Sequence, residues 1–237
     1  MTRAAAHVFV ADLDAPVIAE GDRHHLDRVL RLRAGETVTA SDGRGGLRAC
    51  RYVAGGGLEP TSEVTFEDRR SPSIGVGFAL VKSEKPEWIV QKLTELGVDR
   101  ILPFTSARSI VRWDGDKADR NLERLRRVSV EAAMQSRQRW LPTVEPVRGF
   151  AAVAAGADVA LAEADPSAAP PSLVRPTVLV GPEGGWSDDE RAAGAGRFVR
   201  FGSSVLRAET AAVAAGVLLS ALRESVIAPG KGREERS

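Results

Sequence analysis

From residue 74 onward, short apolar runs alternate with helix-length stretches, and this alternation most narrows the folds open to the chain. Residues 74–81 read as an apolar strand. Pro86 then opens a helix where its missing N–H costs nothing, Ile89, Leu93 and Leu96 recur at helical spacing, and Gly97 closes it. Residues 101–104 return as a strand, a long polar helix is predicted over 119–137, and apolar strands follow at 158–162, 177–180 and 197–201. Strands that are apolar throughout must be covered on both faces, so the pattern predicts a mostly parallel sheet with helices on either side.

The first seventy residues differ. Strands are predicted at 7–10, 36–40, 48–53 and 63–66, from alternation and β-branched content. Ser41-Asp42-Gly43-Arg44-Gly45-Gly46 joins two of them as a hairpin, because Asp-Gly and Gly-Gly accept positive φ at little cost. One helix, 24–32, carries Leu26, Val29, Leu30 and Leu32 on an apolar side. The linker Arg69-Arg70-Ser71-Pro72-Ser73 separates a small β-rich module, residues 1–70, from an α/β domain, residues 74–228. Residues 166–172 read as a surface loop and 229–237 as a disordered tail.

Hydrophobic residues make up 43% of the 237-residue chain and charged residues 27%, a balance that argues against disorder. No apolar run reaches the roughly 20 residues of a membrane helix, and the N-terminus lacks a secretory core, so a cytoplasmic protein without a membrane partner is expected. One cysteine, Cys50, and three histidines make a poor ligand inventory, and no metal is expected. A net charge of +1 hides local excess: Arg23, Arg28, Arg31 and Arg33 face only Asp27, and nine Lys/Arg face five acids between Thr105 and Trp140. Such clusters suit either phosphate contacts or a solvated face.

Two loops carry candidate chemistry. After the apolar strand ending at Val180 comes Gly181-Pro182-Glu183-Gly184-Gly185-Trp186-Ser187, and Ser187 with Glu190 forms a capping box that starts a helix. This turn offers unobstructed backbone amides at the carboxyl end of a strand, where open α/β sheets bind ligands. No Lys-Ser/Thr pair follows the glycines, which excludes a nucleotide-phosphate P-loop. The second loop, Phe201-Gly202-Ser203-Ser204-Val205-Leu206-Arg207-Ala208-Glu209-Thr210, enters a small-residue helix predicted over 211–222, with charges at Arg207 and Glu209 where a buried helix entrance would avoid them.

These two loops, with Lys92-Leu93-Thr94-Glu95-Leu96-Gly97-Val98 and Glu131-Ala132-Ala133-Met134-Gln135-Ser136-Arg137 before them, resemble the motifs of the bacterial 16S ribosomal RNA uracil-N3 methyltransferase family, a branch of the SPOUT class. His24-His25-Leu26-Asp27-Arg28-Val29-Leu30-Arg31-Leu32 and Asp42-Gly43-Arg44-Gly45 resemble that family's PUA-like start, so the likeness covers nearly the whole chain. Two positions depart from the family pattern: Val8 stands where a second aromatic is frequent, and Trp186 where Phe is more common.

The resemblance implies a PUA-like β-barrel followed by a SPOUT α/β domain with a trefoil knot near its C-terminus, an exception to the rule against threaded chains. It implies a homodimer that uses S-adenosyl-L-methionine to methylate N3 of a uridine in 16S ribosomal RNA of the small subunit. The cofactor would touch Val180, Gly181, Pro182, Glu183, Gly184, Gly185, Phe201, Gly202, Val205, Leu206, Arg207 and Thr210. Uracil N3 becomes nucleophilic only on losing its proton, so Arg207 is the candidate for orienting the base or stabilising its charge, Glu183 for accepting the proton, and Glu209 for holding Arg207. Arg3, Arg28, Arg31, Arg33 and Lys82 are the expected phosphate contacts. The alternatives are a SPOUT enzyme acting on another RNA and a ribosome assembly factor without catalysis. A Rossmann oxidoreductase is disfavoured because Gly75-Val76-Gly77 lies inside a strand without a third glycine.

Overall fold

A computed structural model describes residues 4–18, 32–53, 57–82 and 85–228. The predicted helix at 24–32 lies outside the described residues but for Leu32, as do Arg3, Arg28, Arg31 and the tail at 229–237. The chain divides into two compact units, Met1–Arg70 with Val130–Leu141, and Ser71–Ser129 with Pro142–Ser237.

The first unit is a five-stranded sheet. Strands β1 (Ala6–Phe9), β2 (Thr37–Ser41), β3 (Gly46–Val53) and β4 (Gly57–Pro60) lie in that order, and β5 (Thr65–Phe66) also pairs with β3. β1 and β2 are parallel and the other pairs antiparallel. The 41–46 hairpin forms as expected, with Gly43 and Gly45 at φ 71° and 98°. Val8, Val38, Ala40, Cys50 and Tyr52 fill its core.

Residues 130–141 differ from the expectation of two contiguous domains. Gly45 N–H donates to the Arg139 carbonyl at 3.1 Å, Leu141 N–H to Gly43 O at 3.0 Å, and Ser41 Oγ to Arg139 O at 3.0 Å. The hairpin thus takes its backbone partners from a segment nearly a hundred residues on, a pairing no local pattern encodes. His7 belongs to the same junction: its ring meets Thr39 Oγ1 and the Gln138 carbonyl, each at 2.9 Å.

The second unit is built on a seven-stranded sheet. Its strands are β6 (Gly75–Ala79), β7 (Arg100–Thr105), β8 (Thr143–Val144), β9 (Arg148–Gly149), β10 (Val159–Ala162), β11 (Thr177–Val180) and β12 (Phe198–Val199). Their order is β12-β10-β11-β6-β7-β8, with β9 also on β7, and every pair is parallel as expected. The helices are α1 (Lys85–Glu95), α2 (Asp116–Gln135, whose residues 130–135 belong to the first unit), α3 (Phe150–Val153), α4 (Asp188–Ala193) and α5 (Ala208–Arg223). Side chains of consecutive strand residues go to opposite cores: Val76, Phe78, Ile101, Val178 and Val180 meet α1 and α5, whereas Ala79, Leu102, Phe104 and Leu179 meet α3 and Trp186. Both faces are covered, which is why these strands read as unbroken apolar runs.

The predicted strand at 197–201 shortens to β12, and the helix predicted from 211 begins three residues earlier, at Ala208. Small residues of α5 permit close approach, since a Cβ on Gly216 would lie 2.7 Å from Leu93 Cδ2 of α1. At its far end Arg223, nearly buried, reaches Asp99 Oδ2 at 2.6 Å and the Gly97 carbonyl at 2.8 Å.

Burial, opposed by the hydrogen bond to Gln138 and aided by the charges of Arg137 and Arg139, lowers the His7 pKa from 6.5 to about 4. The folded chain therefore keeps His7 neutral between pH 6.5 and 4, where the unfolded chain protonates it. Its contribution is present above pH 6.5 and lost as pH falls toward 4, an effect of about 3 kcal/mol. Urea unfolding at pH 7 and pH 4.5 should reveal that loss, and His7→Asn should flatten the dependence. An identical slope in the variant would assign the acid sensitivity to other groups.

Candidate functional site

Three strands of the second unit, β10, β11 and β12, end side by side, and their carboxyl ends carry the loops of interest. β11 runs into the glycine turn, where Gly185 N–H donates to Pro182 O at 2.9 Å and Gly185 takes φ 69°. The turn ends in the predicted capping box: Ser187 Oγ accepts from Glu190 N–H, and the Glu190 carboxylate accepts from Ser187 N–H at 2.9 Å.

Glu190 does more than cap. Only 5% exposed, it also accepts from Ser106 Oγ at 3.0 Å and from Ala107 N–H at 2.9 Å, which fixes the loop after β7 beside the glycine turn. Burial pushes its pKa up, but the bonds from Ser187, Ala107 and Ser106 outweigh burial and hold it below the usual carboxylate value. Trp186 anchors the turn from beneath: it is buried, stacks on Phe104 with ring centroids 6.1 Å apart, and donates Nε1–H to the Ala162 carbonyl of β10 at 2.9 Å. The larger ring at this departure from the family pattern therefore fills core space and adds a tie between neighbouring strand ends.

Between the loops lies a cleft of about 170 Å³. Of the predicted residues, Val180, Gly181, Pro182, Glu183, Gly185, Phe201, Gly202, Val205 and Leu206 line it; Gly184, Arg207 and Thr210 do not. Gly184 turns toward Arg108, whose Nη1 donates to its carbonyl at 3.1 Å. Arg207 is exposed at the N-cap of α5. The cleft also takes in Ser204 and Ala208, within the second loop, and Ala162, Glu163, Ala164, Trp186 and Ala211, which sequence reasoning missed. A signal existed for Glu163, a charge directly after an apolar strand in a sheet whose carboxyl ends bind ligands.

The charged residues of the lining are Glu163 and Glu183, and no lysine or arginine joins them. Glu163 pairs with Arg191 of α4 at 2.7 Å, while Glu183 keeps 63% of its side chain exposed. Glu209 stands behind the wall and, besides the Arg207 charge, has a closer partner: its Oε1 is 2.9 Å from Lys85 Nζ, which also lies 3.6 Å from Glu183. Burial raises the Glu209 pKa, but the Lys85 hydrogen bond and charge prevail and lower it. A cleft whose charged lining is two carboxylates favours a cationic ligand and disfavours a polyphosphate. These residues therefore fit a sulfonium compound.

Of the two phosphate-contact candidates within the described residues, Arg33 is exposed in the first unit and Lys82 exposed in the second. No group of His, Cys, Asp and Glu suited to a metal occurs among the described residues, nor any helix long and apolar enough to cross a membrane.

Comparison with known proteins follows the same division. The family described as RNA methyltransferase domain matches residues 69–220, and the RNA methyltransferase PUA domain matches residues 18–61. Ribosomal RNA small subunit methyltransferase E of Mycobacterium bovis is 36% identical, with 88% of this chain and 89% of the relative covered. The protein of the same name from Synechocystis is 33% identical over 85% of this chain and 71% of its own. Among solved structures, the Neisseria gonorrhoeae ribosomal RNA small subunit methyltransferase E bound to S-adenosyl methionine superposes with a TM-score of 0.74, at 26% identity, covering 92% of this chain and 97% of that one. The α/β unit with these loops defines an RNA methyltransferase preceded by a PUA domain. The chain belongs to the ribosomal RNA small subunit methyltransferase E family.

Two glycines of the turn should respond differently to substitution. A Cβ on Gly181 would meet the Trp186 ring at 3.0 Å, whereas one on Gly184 finds ordinary contact with Arg108 at 3.5 Å. Gly181→Val should displace the indole and lower stability by about 1–3 kcal/mol, while Gly184→Ala should stay close to the parent. Tryptophan fluorescence and urea unfolding of both variants check this; equal behaviour would mean the indole does not constrain the turn.

Proposed function

We propose that this protein transfers a methyl group from S-adenosyl-L-methionine to N3 of a uridine in 16S ribosomal RNA of the small subunit. The observation that carries the reading is the cleft: it stands at the carboxyl ends of β10 and β11 and beside the loop after β12, and its charged lining is Glu163 and Glu183 alone. The names of the Mycobacterium and Synechocystis relatives and the S-adenosyl methionine held by the Neisseria protein agree with it.

S-adenosyl-L-methionine supplies an electrophilic methyl group on a cationic sulfur. The protein's share is to hold that cation against Glu163 and the glycine turn, to exclude water with Val205, Leu206 and Phe201, and to present the base. Val180 to Gly185 and Phe201 to Leu206 form the cofactor walls in this reading; Arg207 and Thr210 act from the first turn of α5, and Gly184 supports the turn from behind. Glu183, exposed on the rim, accepts the N3 proton, and the Arg207 guanidinium orients the uracil and offsets its negative charge. Arg33 and Lys82 contact phosphate, with Arg3, Arg28 and Arg31 completing the grip.

The wider arrangement is read in the same way: a PUA-like β-barrel at 1–70, a SPOUT domain at 74–228 with a trefoil knot near its C-terminus, and a homodimer working in the cytoplasm. The target base must leave its stack to reach the cleft, an extrusion that costs a few kcal/mol.

Mass spectrometry of small-subunit RNA from a strain lacking the gene should show the loss of one N3-methyluridine. Unchanged RNA would overturn the assignment. Calorimetry without RNA should detect S-adenosyl-L-methionine binding, and Glu163→Lys, which places a cation in the lining, should weaken it roughly tenfold or more. Equal affinity in that variant would move the sulfonium away from Glu163.

A further inference from the structure

Lys85 belongs to none of the loops that line the cleft. It is the first residue of α1, where the positive end of the helix dipole disfavours a cation. Local helix energetics therefore give no reason for a lysine here. The tertiary surroundings do: Nζ lies 2.9 Å from Glu209 Oε1 in the first turn of α5 and 3.6 Å from Glu183 Oε1 in the glycine turn. The Glu209 hydrogen bond, followed by the charges of Glu209 and Glu183, raises the Lys85 pKa despite some desolvation, so the ammonium keeps its proton across the working range.

We propose that Lys85 is a positioning residue of the methyl transfer, joining the carboxylate on the glycine turn to the helix that forms the opposite wall. Glu183 projects from a turn with 63% of its side chain in solvent, so without a partner it samples several rotamers. The ammonium selects the one beside the cleft. Glu209 is only 15% exposed, and its second oxygen, Oε2, is buried without a hydrogen-bond partner. Removing Lys85 would take away that carboxylate's hydrogen bond and nearest charge, so the Glu209 side chain and the first turn of α5 would readjust toward water. Ala208 and Ala211 of that helix line the cleft, so such a shift changes the space in which the base and the methyl donor meet.

The inference rests on the reading of Glu183 as proton acceptor, and its test separates the two. Lys85→Met, Lys85→Arg and Glu183→Gln are compared in the full-length protein by thermal melting, by calorimetry with S-adenosyl-L-methionine, and by single-turnover methylation of small-subunit RNA between pH 5.5 and 8.5. Lys85→Met should melt within a few degrees of the parent, because an ion pair that is partly exposed adds little stability. Its single-turnover rate should fall on the order of 10- to 100-fold with the RNA KM within about twofold, as expected when a proton acceptor is misplaced. Lys85→Arg, which keeps the charge, should recover most of the rate. If Lys85→Met does not fold, Lys85→Gln takes its place with the same expected results. A fully active Glu183→Gln removes the proton acceptor, and this inference falls with it. An inactive Glu183→Gln beside a Lys85→Met that keeps the parent's rate overturns the positioning role alone. A rate loss that Lys85→Arg does not repair assigns the effect to packing and overturns it too.

Discussion

Burying a carboxylate is costly unless each oxygen finds donors, and the way Glu190 meets that demand determines where the site's loops stand. Its donors come from two segments: Ser187 N–H at the head of its own helix, and Ser106 Oγ and Ala107 N–H after β7. Loss of the carboxylate would leave an amide on each segment without its partner and untie the two segments from each other. The glycine turn is thus held at its end by Glu190, beneath by Trp186 and at its side by Arg108, so its shape does not rely on the turn's own weak preferences. Preorganisation of this sort matters for methyl transfer, where the protein's contribution is placement of reactants rather than covalent chemistry.

The electrostatics of the region are arranged in layers. Carboxylates of Glu163 and Glu183 line the cleft, while the cations Lys85, Arg191 and Arg108 bind those carboxylates or loop carbonyls from outside the lining. A sulfonium in the cleft would therefore meet negative groups first, and the counter-charges that make the carboxylates tolerable lie one step further out. An RNA target arrives with the opposite requirement, and the exposed Arg207 at the N-cap of α5 supplies a cation outside the lining. One short segment, Leu206-Arg207-Ala208, thereby passes from the cleft wall to the solvent and back within three residues.

The parts legible in sequence were those set by local rules. The parallel sheet followed from runs of apolar strand residues, and the capping box from Ser187 and Glu190. The 41–46 hairpin followed from its Asp-Gly and Gly-Gly steps. Eleven of the cleft's lining residues lie on the two loops singled out by their glycines. What escaped depends on distant partners. β12 keeps only Phe198 and Val199 because its neighbour β10 offers Leu161 and Ala162 and no further pairing. Residues 130–141 continue a helical pattern into a segment whose backbone is claimed by the 41–46 hairpin. Gly184 resembled its neighbours in sequence, yet the direction of its missing side chain, toward Arg108, is a property of the folded turn. Lys85 did leave a trace, a cation at the start of a helix, but only its two carboxylate partners give that anomaly a meaning.

The same helix pair explains why a cleft made largely of loops can keep its shape. Glu209, Gly216 and Arg223 recur every seventh residue along α5, which places them on nearly one face of the helix. Each engages the α1 side by a different means: Glu209 by the ion pair to Lys85, Gly216 by admitting Leu93 where any Cβ would collide, and Arg223 by reaching the Gly97 carbonyl and Asp99 just beyond α1. Charge at the exposed end, close packing in the middle and a buried ion pair at the far end are sensitive to different perturbations, so no single change of salt or pH releases the whole face. The far end is the firmest, since Asp99 also accepts from Ile74 N–H at 2.8 Å and so ties the helix to the start of β6. The end nearest the cleft is held by the buried Ala208, Ala211 and Ala212 and by an ion pair that solvent can reach. Adjustment of the site, where it occurs, is therefore directed to the first turn of α5 and the glycine turn, whose residues line the cleft.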